Sequence, residues 1–218
     1  MELNDVLAAR RRIAPSLRPT PLLPSSWLSA LTGATVRLKL ESLQITHSFK
    51  VRGALNAAAA HLERLSSGAA LARPLVTASA GNHGRALAFA AELFGLPLVV
   101  YTPRDAPRAK LDHIAAHGAD LRAVAATYED SERLAKACAA DEGLTYISPY
   151  SHPDVIAGAA TVALEILEDW PEVDTVIVPV GGGGLVSGIA FAAKALSGRV
   201  EVIGVETECS PAFHTSLA

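Results

Sequence analysis

An α/β fold, with mostly parallel sheets and helices on both faces, is predicted by three observations. Short β-branched or apolar runs alternate with helical patterns along the chain. Half of the 218 residues are hydrophobic but only 5% are aromatic, so the core is Ala, Val, Leu and Ile, which suits helices packed on a sheet. Two glycine-containing loops stand where a strand hands over to a helix, the usual ligand crevice of open α/β sheets.

The elements follow in order. Strands are predicted at 36–40, 75–78, 98–101, 121–124, 145–147, 175–180 and 200–205, each short, apolar and bounded by turn residues. A helix over 48–65 follows from Val51, Leu55, Ala58, Leu62 and Leu65 at steps of three and four, with Ser48 as N-cap. Ala86, Phe89, Ala90 and Leu93 make one apolar stripe over 82–94. A helix over 105–117 opens with Asp105 and Pro107 and closes before Gly118. Residues 200–205 read as an interior strand, and 211–218 as a helix just begun. The sequence shows no internal repeat, low-complexity tract or linker.

Composition narrows the function. A net charge of −3 does not support binding to nucleic acid or an anionic membrane. Cys138 and Cys209 form no C-x-x-C and no disulfide framework, which fits a reducing cytoplasm. The first residues, Met1-Glu2-Leu3-Asn4-Asp5, are not a signal peptide. Residues 176–193 carry no charge, but Pro179 and four glycines interrupt them; a strand, a loop and a helix explain the run better than a membrane span.

Lys50 is badly placed for structure. It sits in Ser48-Phe49-Lys50-Val51-Arg52-Gly53-Ala54, at the predicted first turn of a helix. That end of the dipole disfavours a cation and helps the amine lose its proton. A neutral amine can form a Schiff base with a carbonyl. The first glycine loop, Thr77-Ala78-Ser79-Ala80-Gly81-Asn82-His83-Gly84, lets backbone N–H groups converge at a helix start, which suits a carboxylate or phosphate. The second, Pro179-Val180-Gly181-Gly182-Gly183-Gly184-Leu185, allows very close approach to an anion. It is neither the dinucleotide fingerprint nor a P-loop, because Val186 or Ser187 falls where the last glycine would stand and no Lys-Ser/Thr pair follows. Two anion cradles and a neutral lysine match an amino acid joined to pyridoxal phosphate, which carries a carboxylate, a phosphate and an imine.

With Arg18-Pro19-Thr20-Pro21-Leu22 and Leu38-Lys39-Leu40-Glu41, these segments stand in the order of one family. The chain resembles the pyridoxal-phosphate serine/threonine dehydratases of the tryptophan-synthase β-like fold. The resemblance implies a large cofactor-binding domain, 1–66 and 151–218, and a small mobile domain, 67–150, that carries the asparagine loop. It implies that Lys50 holds the cofactor and acts as base on the substrate Cα. Phe49 would pack near the cofactor ring, and Asn82 would hydrogen-bond its hydroxyl. Gly181, Gly182, Gly183 and Gly184 would bind the phosphate. Ser79, Ala80, Gly81, Asn82 and His83 would receive the substrate carboxylate. The implied reaction is β-elimination from L-threonine or L-serine to a 2-oxo acid and ammonia. Alternatives are another 3-hydroxy amino acid as substrate, or a truncated chain that only binds cofactor or serves as a partner subunit. The resemblance further implies more of the large domain beyond Ala218, including a Ser, Thr or Cys for the pyridine nitrogen. A homo-oligomer, a dimer, is expected of the complete protein, with a small amino acid as its only other partner besides the cofactor.

Departures sharpen the reading. Racemase relatives carry a proton-transferring serine where this chain has Ala80, which favours elimination. Arg85 stands where glutamine is common, Ala159-Ala160 replaces Gln-Gly, and His47 replaces a glycine. Glu206 matches a cation ligand of some relatives, but its acidic companion is Ala212 here, and no metal is expected. His113 and His117 share a helix face without a third ligand and read as surface. Ser187 lies outside any G-x-S-x-G elbow. Cys138 reads as a small buried residue, and Tyr101 and Tyr150, near strand ends where a cleft would be lined, read as packing groups in preference to cleft lining.

Overall fold

The structure, a computed structural model, describes residues 1–66 and 73–217; the predicted domain boundary at residue 67 and the terminal Ala218 lie outside them. The chain opens with α1 (Leu3–Ile13), which buries Val6, Ala9 and Ile13. β1 (Leu22–Pro24) and β2 (Arg37–Lys39) pair antiparallel around α2 (Ser26–Thr32). The predicted strand at 36–40 is therefore shorter, and its partner β1 and the antiparallel pairing were not predicted. A three-residue strand ending in Pro24 has too little alternation to read from sequence.

α3 (Lys50–Ser66) begins two residues after the expected start. Ser48 still caps it, its hydroxyl accepting from the Lys50 amide at 3.0 Å. β3 (Leu75–Ala78), β4 (Leu98–Pro103), β5 (Asp120–Ala125) and β6 (Thr145–Tyr146) form one parallel sheet in the order β5-β4-β3-β6. Its side chains alternate as strand geometry requires. Leu75, Leu98 and Val100 join the core that holds α3 and α4 (Asn82–Phe94). Val76, Ala78, Val99 and Tyr101 face Ala135, Cys138 and Ala139 of α6 (Tyr128–Glu142). Helices thus cover both faces of this sheet. α5 (Arg108–Ala115) is shorter than the predicted 105–117, starting after Pro107 and ending before Gly118, whose φ of 76° stops it.

α7 (Pro153–Asp169) crosses α3 and α8 (Gly184–Leu196) at glycines. A Cβ on Gly158 would fall 2.5 Å from the Arg52 carbonyl oxygen, one on Gly53 2.7 Å from that of Val155, and one on Gly188 2.8 Å from that of Ile156. Backbones this close leave no room for a methyl. A second core packs Val162, Ile166, Val178, Ile189 and Ala193 between α7, α8 and the parallel pair β7 (Thr175–Pro179) and β8 (Glu201–Val205). β8 was expected as an interior strand. Among the described residues it pairs only with β7, and Ile203 and Val205 are exposed because nothing described covers that side. Residues 176–193 resolve into strand, loop and helix, and no described helix is long and apolar enough to cross a membrane. α9 (Ala212–Leu217) ends the described chain, with the Glu206 carboxylate accepting from the amides of Phe213 and His214 at 2.8 and 2.7 Å.

Candidate active site

Lys50 stands at the first position of α3, and its side chain turns inward. Its Nζ donates to the Pro149 carbonyl oxygen at 2.6 Å and lies 5.2 Å from the centre of the Phe49 ring. Burial lowers its pKa from 10.5 to about 8. The helix end was expected to do this; the operative cause is desolvation of the ammonium. Lys50 and Phe49 line one slot with Gly53, Pro149, Gly184 and Leu185. The slot has about 10 Å3 of free space, room for one water. The lysine and the glycine loop, 134 residues apart at Gly184, are thereby brought together.

The glycine loop turns from β7 into α8 through Gly183, whose φ is 82°. A Cβ on Gly182 would lie 2.5 Å from Cγ of Tyr150, and one on Gly183 2.7 Å from the Phe213 ring, whereas Gly181 faces open space. The first amides of α8 have no intrahelical acceptor and point outward from a positive helix end. A loop of this geometry can cradle an anion at Gly181 and Gly182, which are exposed.

The asparagine loop joins β3 to α4. The Ser79 hydroxyl accepts from the Gly81 amide at 3.2 Å and shapes the turn. Ala80 and Gly81 are half-buried and Asn82 is exposed at the helix start. Gly84 must be glycine, because its Cβ would meet the Ser79 carbonyl oxygen at 2.3 Å. His83 is 2% exposed, and neither ring nitrogen has a hydrogen-bond partner. Burial and the field of Lys50 push it down to about 3, against a weaker pull from the Ile147 backbone. His83 is therefore neutral, and Lys50 is close enough to act on it.

Sequence reasoning missed two parts of the site. One is the connection 147–151, which supplies the Pro149 carbonyl and the Tyr150 ring; Tyr150, for which packing was preferred over cleft lining, packs its ring against Gly182 of the glycine loop. The other is an ion network beneath α3. The Arg52 side chain, 0% exposed, donates to Glu41 at 2.7 and 2.8 Å, to Glu165 at 2.6 and 2.8 Å and to Thr161 at 3.2 Å. Lys39 pairs with Glu165 at 2.7 Å and donates to the Thr20 carbonyl at 2.6 Å, and the Thr20 hydroxyl donates to Glu41. Burial opposes the Arg52 charge, but the two glutamates outweigh it and hold its pKa above the ordinary value. Thr20, Lys39, Glu41 and Arg52 all come from the segments that carried the family resemblance, so their signal was present without its physical reason. Of the groups set aside, Tyr101 accepts from Arg122 at 2.8 Å, His117 pairs with Glu92 at 2.6 Å, His113 is exposed and Cys138 is buried. Among the described residues no cluster of three metal-ligating side chains occurs.

A sequence profile of pyridoxal-phosphate dependent enzymes matches residues 13–218. The chain belongs to this family. Within the family it is 41% identical over 215 residues to an L-threonine ammonia-lyase of Thermotoga maritima, covering 99% of this chain and 52% of that protein. It is 40% identical over 205 residues to an L-threo-3-hydroxyaspartate ammonia-lyase of Saccharomyces cerevisiae, covering 94% and 61%. The crystal structure of serine racemase from Dictyostelium discoideum superposes with a TM-score of 0.88 at 36% identity, covering all of this chain and 69% of that one. The chain thus spans roughly half to two-thirds of the length of these pyridoxal-phosphate dependent relatives, and its fold is theirs.

Proposed function

We propose that this chain carries the lysine half of a pyridoxal-phosphate ammonia-lyase site that converts L-threonine or L-serine to a 2-oxo acid and ammonia. The observation that carries the reading is Lys50: a desolvated amine with a pKa of about 8, lining one slot with the end of a four-glycine loop. The residues fit the cofactor. An aldehyde needs an amine that can lose its proton, and a phosphate dianion needs converging amides with no side chain in the way. Gly181, Gly182, Gly183 and Gly184 offer the amides, Phe49 an apolar face beside the amine, and Asn82 a polar side chain at the start of α4.

When bound, pyridoxal phosphate supplies the electrophilic carbonyl and a ring that accepts electron density from Cα. The chain's own residues supply the rest. The α4 N-terminus, through Ser79 to His83, receives the substrate carboxylate and orients Cα. Lys50 Nζ takes the Cα proton, for which a pKa near 8 is well matched. Neutral His83 beside it adds no charge that would hold the lysine amine protonated or deprotonated. The β-hydroxyl leaves as water with the proton that Lys50 took from Cα, and hydrolysis of the unsaturated product consumes one water and frees ammonia. Ala80 has no group to deliver a proton to the opposite face of Cα, which supports elimination over the racemisation named for the Dictyostelium relative. The yeast relative's name supports 3-hydroxyaspartate as the second substrate to try.

The test is chemical. One portion of protein purified with pyridoxal phosphate is reduced with borohydride, digested and weighed, and a second, unreduced portion is assayed for 2-oxo acid from threonine, serine and 3-hydroxyaspartate. The expected result is an adduct on the Lys50 peptide, absent in Lys50→Ala, with no D-enantiomer formed. No adduct on Lys50 would overturn the reading; an adduct without 2-oxo acid would mark a binding chain rather than an enzyme.

A further inference from the structure

One connection touches every part of the candidate site. The Ile147 carbonyl oxygen accepts from the Thr77 hydroxyl at 2.7 Å, at the root of the asparagine loop. Two residues on, the Pro149 carbonyl oxygen holds the Lys50 amine at 2.6 Å. Next comes Tyr150, whose ring packs on Gly182 and whose carbonyl oxygen lies 2.7 Å from where a Cβ on Gly184 would sit. The Tyr150 hydroxyl reaches away from the loop and donates at 3.3 Å to Glu132 of α6, which Lys136 pairs at 2.9 Å. Phe213 closes on Gly183.

Four consecutive glycines have no side chains with which to fix themselves, and glycine loses more conformational freedom on ordering than any other residue. Their amides can converge before an anion arrives only if something outside the loop holds them. Binding is stronger when that ordering precedes it. We propose that Tyr150 is a positioning residue: its ring presets Gly182 for a phosphate monoester, its backbone backs Gly184, and the preceding carbonyl holds Lys50, so that one rigid connection fixes the spacing between anion and amine. The ligand class rests on the reading given under Proposed function. The ring carries the effect, and the hydroxyl's long bond to Glu132 only steadies it.

The test compares pyridoxal phosphate with pyridoxal, which has the same aldehyde and no phosphate. Each chain is titrated with both, following the visible absorbance of the Lys50 adduct, alongside thermal unfolding. Tyr150→Ala is expected to weaken pyridoxal phosphate about tenfold, equivalent to about 1.4 kcal/mol, and to leave pyridoxal within about twofold. Tyr150→Phe, which keeps the ring, is expected to restore the phosphate preference. Equal weakening of both ligands, an unchanged Tyr150→Ala chain, or a Phe variant as impaired as Ala would overturn the proposal. If Tyr150→Ala fails to fold, Tyr150→Leu is read in the same way. If the unaltered chain forms no adduct on Lys50, the functional reading falls instead. The positioning role is then judged with inorganic phosphate, which must raise the melting temperature of the unaltered chain more than that of the variant.

Discussion

Arg52→Met should unfold the region that carries Lys50 more than any surface change could. Met keeps much of the length of arginine but leaves Glu41 and Glu165 facing each other without the guanidinium that bridges them. Five hydrogen bonds disappear, four of them to carboxylates at 2.6 to 2.8 Å. Glu165 keeps Lys39 at 2.7 Å and Glu41 keeps the Thr20 hydroxyl, so compensation is partial. Breaking one partner of a buried ion pair costs about 3–5 kcal/mol, mostly through the charge left behind. At this chain length 1 kcal/mol moves the melting temperature by about 2–4 °C, so a drop of roughly 6–20 °C is expected. Urea unfolding should show the lost midpoint with an unchanged slope. A double-mutant cycle with Glu165→Gln should give a coupling above about 1 kcal/mol, because the two side chains share contacts. A loss below about 1 kcal/mol, or additivity, would refute the claim that this network holds α3 in place.

The remaining predictions probe single features. Aldehyde or acyl labelling of Lys50 should rise to half its maximum near pH 8, well below surface lysines, as followed by mass spectrometry of its peptide. Because the folded pKa lies below the unfolded 10.5, the unfolded chain binds more protons between the two, and Lys50's contribution should make stability rise from pH 8 to 10.5. Glu165 acts in the opposite range: burial opposes its charge, but Arg52 and Lys39 keep its pKa below 4.5. Its contribution is full above pH 4.5 and should fade as pH drops through the folded value, a loss that Glu165→Gln removes from the pH–melting profile. Gly158→Ala would push a methyl to 2.5 Å from the Arg52 carbonyl oxygen and should cost about 1–3 kcal/mol in thermal unfolding. His47 holds a φ of 56°, a conformation that costs a side-chain-bearing residue about 1–2 kcal/mol. After the entropy cost of glycine, His47→Gly should stabilise the chain by roughly 0.5 kcal/mol.

Much of this architecture was legible in the sequence. The parallel strands β3, β4 and β5 were found because their apolar runs are bounded by Gly, Pro and Asp, and the position of Lys50 at a helix start was legible from Ser48 and the apolar steps that follow it. The antiparallel β1–β2 pair was not, since three residues carry no usable period. Helix edges slipped by two or three residues at Ser48 and Asp105, where caps and turns share the same residue types. The ion network escaped because charges read one at a time look like surface groups. Only folding brings Lys39, Glu41, Arg52 and Glu165 to one buried point. Tyr150 escaped for the same reason: its contact with Gly182 is set by tertiary packing, to which no local pattern points.

The hydrogen bond from Lys50 to Pro149 spans 99 residues of chain. The entire four-stranded sheet lies inside that span, between β3 and β6, which are themselves neighbours. Contacts so distant in sequence are entropically late to form, because the intervening loop must close before they reward it. The amine and its carbonyl partner can meet only once the sheet between them has condensed. On the ribosome, Lys50 emerges long before its partner does and must wait, solvated and with its ordinary basicity, until residue 149 has been made. The chemical character of this lysine is thus acquired at the end of folding, and any lesion that slows closure of that long loop will leave an ordinary surface amine in its place.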